Sequence, residues 1–329
     1  MTNSPTQVAI SYFGKVPGRG DFVKTAGNLA LLDKLDDWLA QTMMQFSENP
    51  RWKIVYDNLH ALDFALLGTQ KSGLVAGRIV PSSDQAQRRY PFLTLVSAET
   101  NDPALSISFS PVIFSSLWHY LAAQSQAVVA AVDPAKPLQN LASRPVSVSL
   151  GGRVFKPAFE DFLTENTMDS LSRMLYTGDF TGSVRQLMLA LGLLLQPVMA
   201  GGNGIQADKS LVLPLPGSGN YSYYAATFWM HLITPFLTRR DFELALFLTT
   251  LAGKPVLVLG FNGTSMQTLL ALFDAQTGHD HHIGFDSMDW VENEIITDYG
   301  LTKLSSYLMQ PGLSLASALK SFHAAFIGI

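Results

Sequence analysis

Cysteine is absent from all 329 residues. That excludes disulfides, thiolate catalysis, iron–sulfur clusters and cysteine zinc sites together. Charge is sparse as well: 15% of residues are Asp, Glu, Lys or Arg, the net charge is -4 and the pI lies near 5.9. No global positive field therefore draws the chain to nucleic acid or to an anionic membrane surface. Long uninterrupted apolar runs are missing too. The longest apolar stretch, Leu187 to Ala200, is broken by Gly192, Gln196 and Pro197, and a spanning helix needs about twenty apolar residues. It reads as a buried or partner-facing helix. Met1–Gln7 lacks the basic patch and apolar core of a secretion signal. The expected compartment is cytoplasmic, without membrane insertion. There is also no Gly-x-Ser-x-Gly elbow, no His-Glu-x-x-His and no Gly-Lys-Ser/Thr.

What is present is apolar mass. Hydrophobic residues make up 47% of the chain and the mean hydropathy is +0.18, enough for a generous core in one large domain or two ordinary ones. Strands are expected over Val8–Phe13, Leu62–Leu67, Leu74–Val80, Phe92–Ala98, Leu211–Leu215 and Pro255–Phe261, where Val, Ile, Leu, Phe and Thr dominate. Helices are expected over Leu29–Phe46 behind an Asn28 cap, and over Pro111–Val132 behind Ser110. Further helices are expected over Pro157–Arg173, Ser183–Met199, Tyr221–Phe236, Asp241–Leu251, Thr264–Phe273, Asp289–Met309 and Leu313–Phe326. Asp133–Gly152 reads as a connection. Strands interspersed with many helices imply a sheet covered by helices.

Two connections concentrate special residues. Tyr12-Phe13-Gly14-Lys15-Val16-Pro17-Gly18-Arg19-Gly20-Asp21-Phe22 packs three glycines, a proline and three charges between a strand and a helix. Glycine permits backbone angles closed to other residues, and proline fixes its own φ, so such a loop holds its charges in place. It is not a phosphate-binding loop, because Lys15 precedes the glycines and Val16 follows it. The second connection, Pro81 to Pro91, is polar, has proline at each end and joins two strand candidates. Arg88 and Arg89 within it offer planar bidentate forks for a carboxylate or other anion. The plainer alternative is that one of them pairs with Asp84 or Asp21 and pins the two loops together.

These two segments, together with Gly77-Arg78-Ile79-Val80 ahead of the second, resemble the TagF (ImpM) family of accessory proteins of the bacterial type VI secretion apparatus. Phe13, Gly14, Lys15, Pro17, Arg19, Gly20, Asp21 and Phe22 match the first family pattern. Pro81, Ser82, Asp84, Arg89 and Pro91 match the second, with Gln87 or Arg88 where the pattern has glycine. The resemblance covers roughly the first hundred residues. It implies an α/β fold, a three-layer αβα sandwich with a mixed central sheet, spanning residues 7–275. Residues 276–329, a departure from the family's usual length, are expected to form a helical C-terminal extension packed on the same core. It implies a post-translational repressor that binds a forkhead-associated scaffold protein, with no enzymatic activity and no cofactor. Left open are a structural component of the apparatus, and a hydrolase or nucleotide-binding enzyme with a non-contiguous site.

The candidate partner-binding residues are Lys15, Arg19, Asp21, Arg88 and Arg89. Gly14, Pro17, Gly20, Phe22, Pro81 and Pro91 are expected to act structurally. Both loops are expected at one end of the sheet, with Asp21 partly buried against an arginine as a clamp and Arg19 and Arg88 on the surface. His279, His281 and His282 form a local His-Asp-His-His run, read as a solvated loop instead of a metal site.

Overall fold

The computed structural model describes residues 5–199, 209–217 and 219–328. Of the segments read above, Met1–Ser4 and Ala200 lie outside these ranges. The first half of the chain forms β1 (Thr6–Val8), β2 (Ser11–Gly14), β3 (Val23–Lys24), α1 (Leu29–Phe46), α2 (Trp52–Asp57), β4 (Leu62–Gly68), β5 (Gly73–Val80), β6 (Phe92–Glu99), α3 (Pro103–Ala130), α4 (Ala135–Ser143) and β7 (Val146–Val148). It continues through α5 (Lys156–Glu165), α6 (Met168–Tyr176), α7 (Val184–Met199), β8 (Ser210–Pro214), α8 (Asn220–Leu237), β9 (Glu243–Leu251) and β10 (Lys254–Gly260). The chain closes with α9 (Met266–Phe273), α10 (Ala275–His281), β11 (His282–Ile283), α11 (Trp290–Thr297), α12 (Tyr299–Leu308) and α13 (Leu315–Phe326).

Among the described residues nine strands make one sheet in the order β11-β8-β10-β9-β4-β5-β6-β2-β3, and β1 pairs with β7 apart from it. All neighbours in the large sheet are antiparallel except β11 with β8, so the sheet is mixed. Side chains alternate between its faces. Ala65, Leu67, Leu74, Ala76, Phe92, Val96, Leu244, Leu246, Leu257 and Leu259 join α3, α7 and α8 in one apolar core. Phe64, Ile79, Leu93, Leu95, Phe247, Val256 and Val258 join α1 and α9 in the other. Three indoles tie helices to the rest by donating Nε1–H to backbone carbonyls: Trp118 to Phe64, Trp229 to Pro214 and Trp38 to Ser265. The fold is the expected α/β sandwich, with the α3/α8 side two helices deep. Phe285, Met288, Val291, Leu304, Leu315, Phe322 and Phe326 share the core of α7 and α8, and the 275/276 division falls at the start of α10.

Several expected elements change. Asp241–Leu251 is not a helix: Glu243–Leu251 is β9, a central strand paired with β4 and β10. It is apolar on both faces, so the alternation that marks a strand is absent, and its Leu and Ala favour helix. α3 begins at Pro103 behind Asp102, whose side chain accepts from Leu105 N, and Pro111 lies inside it. Proline there cannot bond the carbonyl four residues back. Ser110 Oγ donates to that Ile107 carbonyl at 2.9 Å instead. Asn28 makes no side-chain cap but sits at φ 53 and donates Nδ2–H to Ser97 Oγ. Pro157–Arg173 is broken into α5 and α6 by the Thr167–Ser170 capping box, and Asp289–Met309 into α11 and α12.

The β9–β10 turn holds two residues at positive φ, Ala252 (49°) and Gly253 (82°), the requirement of the turn in which Asn-Gly is favoured. Ala252→Asn is expected to raise Tm by roughly 1–3 °C, measured by thermal melting; a fall would refute this account of the turn.

His231 on α8 lies between Phe109 and Phe159, with ring centroids 4.6 and 4.4 Å away. Burial lowers its pKa to about 4; its bond to the Thr227 carbonyl opposes the shift and nearby His323 adds to it. The unfolded chain protonates first, near 6.5. The stabilisation is therefore complete above pH 6.5 and lost as pH falls from 6.5 towards 4. Urea unfolding should show stability lower by roughly 2 kcal/mol at pH 5 than at pH 7 from this group. In His231→Gln most of that slope should vanish.

Candidate partner-binding site

β2 pairs with β6, and β6 with β5, so the loop leaving β2 and the loop joining β5 to β6 emerge at the same end of the sheet. At the exit of β2, Gly14 has φ +133, and a Cβ there would lie 2.1 Å from the Pro91 carbonyl oxygen. Only glycine lets the two strands' ends approach this closely. Beyond it the loops are bonded directly: Gln85 N donates to the Arg19 carbonyl at 2.8 Å, and Arg88 Nη2 donates to the Gly20 carbonyl at 2.7 Å.

At the centre is the carboxylate of Asp84, its side chain 0% exposed. One oxygen accepts from the backbone N–H groups of Ala86 and Arg88 at 3.0 and 2.9 Å. The other receives Arg88 Nε at 2.6 Å and Lys15 Nζ at 3.0 Å. Four donors fill the capacity of an ionised carboxylate. Burial alone would raise its pKa, but the Arg88 amide, Lys15 and the Arg88 guanidinium overcome that and hold it well below the usual carboxylate range. The turn that wraps Asp84 puts Gln87 at φ 61, in the left-handed region that favours glycine.

Apart from Asp21, the remaining charges of the two loops are also paired. Arg89 grips Asp57 of α2 through both arms, Nε and Nη2, at 2.7 and 2.6 Å. The hydrogen bond from Arg89 lowers the Asp57 pKa. Arg19 pairs with Asp133 at 3.0 Å. Tyr56, fully buried, donates its hydroxyl to the Ser82 carbonyl and accepts from the Ser82 N–H, both at 3.0 Å. Phe22 stacks on Phe13 at 5.2 Å and meets Tyr90 edge-on at 5.0 Å. Lys15 Nζ lies 5.1 Å from the Phe22 ring centroid, and Phe22 stays 46% exposed.

This geometry corrects several expectations. The clamp is Asp84, not Asp21: Asp21 is exposed and has no ion pair among the described residues. The reason is positional, since the 81–91 turn closes over Asp84 while Asp21 lies at the loop's outer edge. Lys15 is a buried counter-ion of Asp84. Arg88 and Arg89 are spent on Asp84 and Asp57, so neither presents a free anion-binding fork. Gly20 has neither positive φ nor a crowded Cβ position, the nearest atom being Gln85 Oε1 at 4.0 Å; it contributes its carbonyl. Pro17 and Pro81 are half-buried and Pro91 is buried. Arg19 and Asp21 keep exposed surface. Pairing of one arginine with Asp84 was one of the alternatives the sequence left open, but Tyr56, Asp57 and Asp133 carry no local signal.

The histidine run is not a loop. His279 and His281 end α10, and His282 is in β11. There Nδ1 of His282 meets Ser210 Oγ at 2.9 Å and Nε2 meets the Ala271 carbonyl at 3.1 Å. Among the described residues no three His, Asp or Glu are grouped to hold a metal ion, and no helix is long and apolar enough to cross a membrane.

Asp84→Asn keeps the volume but loses the charge that neutralises Lys15 and Arg88. Its Tm is expected to fall by roughly 5 °C or more. Because the folded carboxyl titrates below its unfolded value, its contribution is present above about pH 4 and lost only as pH drops through the folded value. The gap between variant and wild type should thus be equal at pH 7 and pH 5. Asp21→Ala should melt with the wild type, and a comparable loss there would restore Asp21 as the clamp.

Residues 11–145 match the family described as the TagF N-terminal domain, Type VI secretion system-associated. The crystal structure of PA0076 from Pseudomonas aeruginosa PAO1 aligns at 21% identity with a TM-score of 0.36, covering 42% of this chain and 63% of that chain; an overlap this partial carries no argument. No curated protein matches the sequence. Residues 11–145, which hold both loops, are a TagF N-terminal domain, type VI secretion system-associated.

Proposed function

We propose that the protein is a non-catalytic accessory factor of the secretion system. It acts in the cytoplasm as a post-translational repressor by binding a forkhead-associated scaffold protein through the two-loop end of its sheet. The observation that carries this reading is the internal pairing of the loop charges around Asp84. A catalytic centre keeps titratable groups poised near neutrality. Here Asp57 and Asp84 are both held in the charged form and occupied by donors. What remains outward is a rigid platform bearing Phe22, Asp21 and Arg19, suited to contact and not to proton transfer.

Pull-down from native cytoplasm with mass-spectrometric identification should capture the scaffold. Asp21→Arg with Arg19→Glu should weaken capture roughly tenfold or more without lowering Tm. Deleting the protein should raise secretion. Loss of secretion on deletion, together with copurification at fixed ratio with the assembled apparatus, would make it a structural component instead. Turnover of ester, phosphate or peptide substrates abolished by one point change would make it an enzyme.

A further inference from the structure

From Pro255 to Thr302 the chain has no lysine or arginine, yet seven aspartates and glutamates fall in that stretch. The whole protein nets -4, so this segment at -7 leaves the rest of the chain at +3. Its end forms the elbow between α11 and α12. Exposed apolar side chains concentrate at the same place. Of thirteen large ones left exposed among the described residues, five lie between Trp290 and Met309. Ile296 is 80% exposed, Tyr299 85% and Trp290 42%. Fraying would explain such exposure at a loose end, but this elbow is tied down. Val291 and Ile295 of α11 and Leu304 and Leu308 of α12 are buried in the core shared with α7. Arg185 of α7 reaches both helices, donating to Glu292 and, at 2.8 Å, to Ser305 Oγ. Gln186 adds a second bond to Glu292 at 2.8 Å. The Thr302 hydroxyl donates across the elbow to the Ile295 carbonyl, also at 2.8 Å. The apolar groups thus stand on a fixed support, which lowers the ordering cost of binding. Asp289, Glu294 and Asp298 beside them are exposed and have no ion pair among the described residues. Asp298 spends one oxygen on capping α12; the other two carboxylates accept no bond there.

We infer that the outer face of the α11–α12 elbow docks a basic amphipathic segment of another protein, in which lysines or arginines flank large apolar side chains. Trp290, Ile296 and Tyr299 meet the apolar groups, and Asp289, Glu294 and Asp298 meet the cations. Exposed apolar groups gathered in one place mark an interaction surface, and the charge around them selects the occupant. Nucleic acid and anionic membranes are repelled by a surface of this sign. A second copy docked about a two-fold axis would set the same carboxylates against themselves. A purely apolar partner would strip water from three carboxylates and give nothing in return. Only a partner with cations beside its apolar groups satisfies both parts of the face. The inference uses no feature of the two loops. β11, which leads into α11, is the edge strand opposite β3, so the two docking readings stand or fall separately.

Fluorescence anisotropy on the full-length protein tests this with a labelled helical peptide, leucines on one face and lysines on its flanks. Two companion peptides replace the lysines by glutamate or the leucines by serine. The lysine–leucine peptide should bind with Kd on the order of 10 μM, and each companion about tenfold or more weaker. Ile296→Ser with Tyr299→Ser, and separately Asp289→Lys with Glu294→Lys, should each weaken that peptide about tenfold. All four side chains are exposed, so Tm should stay near the wild-type value. The two variants share no residue, and if one fails to fold the other decides. Asp161→Lys with Glu165→Lys reverses two exposed charges on α5 and should change binding by less than about twofold. Absent binding, equal binding of the serine companion, indifference to Ile296→Ser with Tyr299→Ser, or equal weakening by the α5 reversal overturns the inference. Asp21→Arg with Arg19→Glu should leave peptide binding unchanged; loss of binding there would move the contact to the two loops and overturn it as well. Scaffold capture that falls in the elbow variants but not in that loop variant would keep the elbow and remove the loop surface.

Discussion

A sheet covered by helices on both faces has no solvent side, and that constraint governs the rest of the molecule. Every central strand must be apolar in both directions. Phe64 faces α1 while Ala65 and Leu67 face α3; Phe247 faces α1 while Leu246 and Leu248 face α3 and α8. The two cores are separated only by the sheet, so its backbone amides and carbonyls must be satisfied internally. The antiparallel ladders do most of this. The indole N–H of Trp118, aimed at the Phe64 carbonyl, adds a helix to the same accounting. Large apolar content with few charges is what such a three-layer arrangement demands of a sequence.

The same economy appears where the sheet ends. Two strands lead out into loops that carry most of the local charge, and burial is tolerable there only because one carboxylate collects the donors. Asp84 is enclosed, so Lys15 and Arg88 cannot leave it without stranding a charge. Lys15 in turn lies against the Phe22 ring, and Phe22 rests on Phe13 and Tyr90, so the ionic centre and the aromatic cluster fix one another. Burial raises the Tyr90 pKa, and its bond to Asp36 of α1 adds to this. The tyrosine therefore stays a neutral donor linking the loops to the first helix. Rigidity at this end follows from paired charge, and paired charge removes the electrostatic signature by which an anion-binding surface would be known.

Those facts also explain what could be read in advance. The strands at Leu74–Val80 and Phe92–Ala98 were legible because β-branched and apolar residues run between Pro- and Gly-marked turns. The helix at Leu29–Phe46 was legible from its single apolar stripe. β9 was not, since Glu243–Leu251 has no polar face to set its period; the overlooked signal was Ala252-Gly253, a two-residue hairpin turn. Pro111 looks like a helix start in the sequence, and only the Ser110 hydroxyl bonded to Ile107 shows how α3 passes through it. At the site the two loops could be paired from their motifs, with Asp84 and Asp21 left as alternative partners for an arginine. The roles of Asp57, Tyr56 and Asp133 could not, because each is brought in by tertiary packing from another element. Asp21 misled because an acidic residue next to a glycine-framed arginine looks the same in sequence whether it faces in or out.

The family match ends at Pro145, yet the structure that holds the two loops does not. Residues 11–145 supply β2 to β6, but the outer edge of β4 is hydrogen-bonded from Asp63 to Gly68 by β9, far beyond the match. α3 packs on α8, and α8 on α7 and α13, where Phe236 meets Phe322 and Phe326. The loop after β2 is braced by the connection leaving α3, since a Cβ at Gly18 would strike Pro134 and the Val132 carbonyl. The position of α3 is therefore a boundary condition on Asp84 and its partners. An unpaired β4 edge would be a liability in itself, and β9 removes it by continuing the sheet. The N-terminal motifs and the distant helices are parts of one mechanical unit, in which the later half of the chain fixes where the earlier half presents its surface.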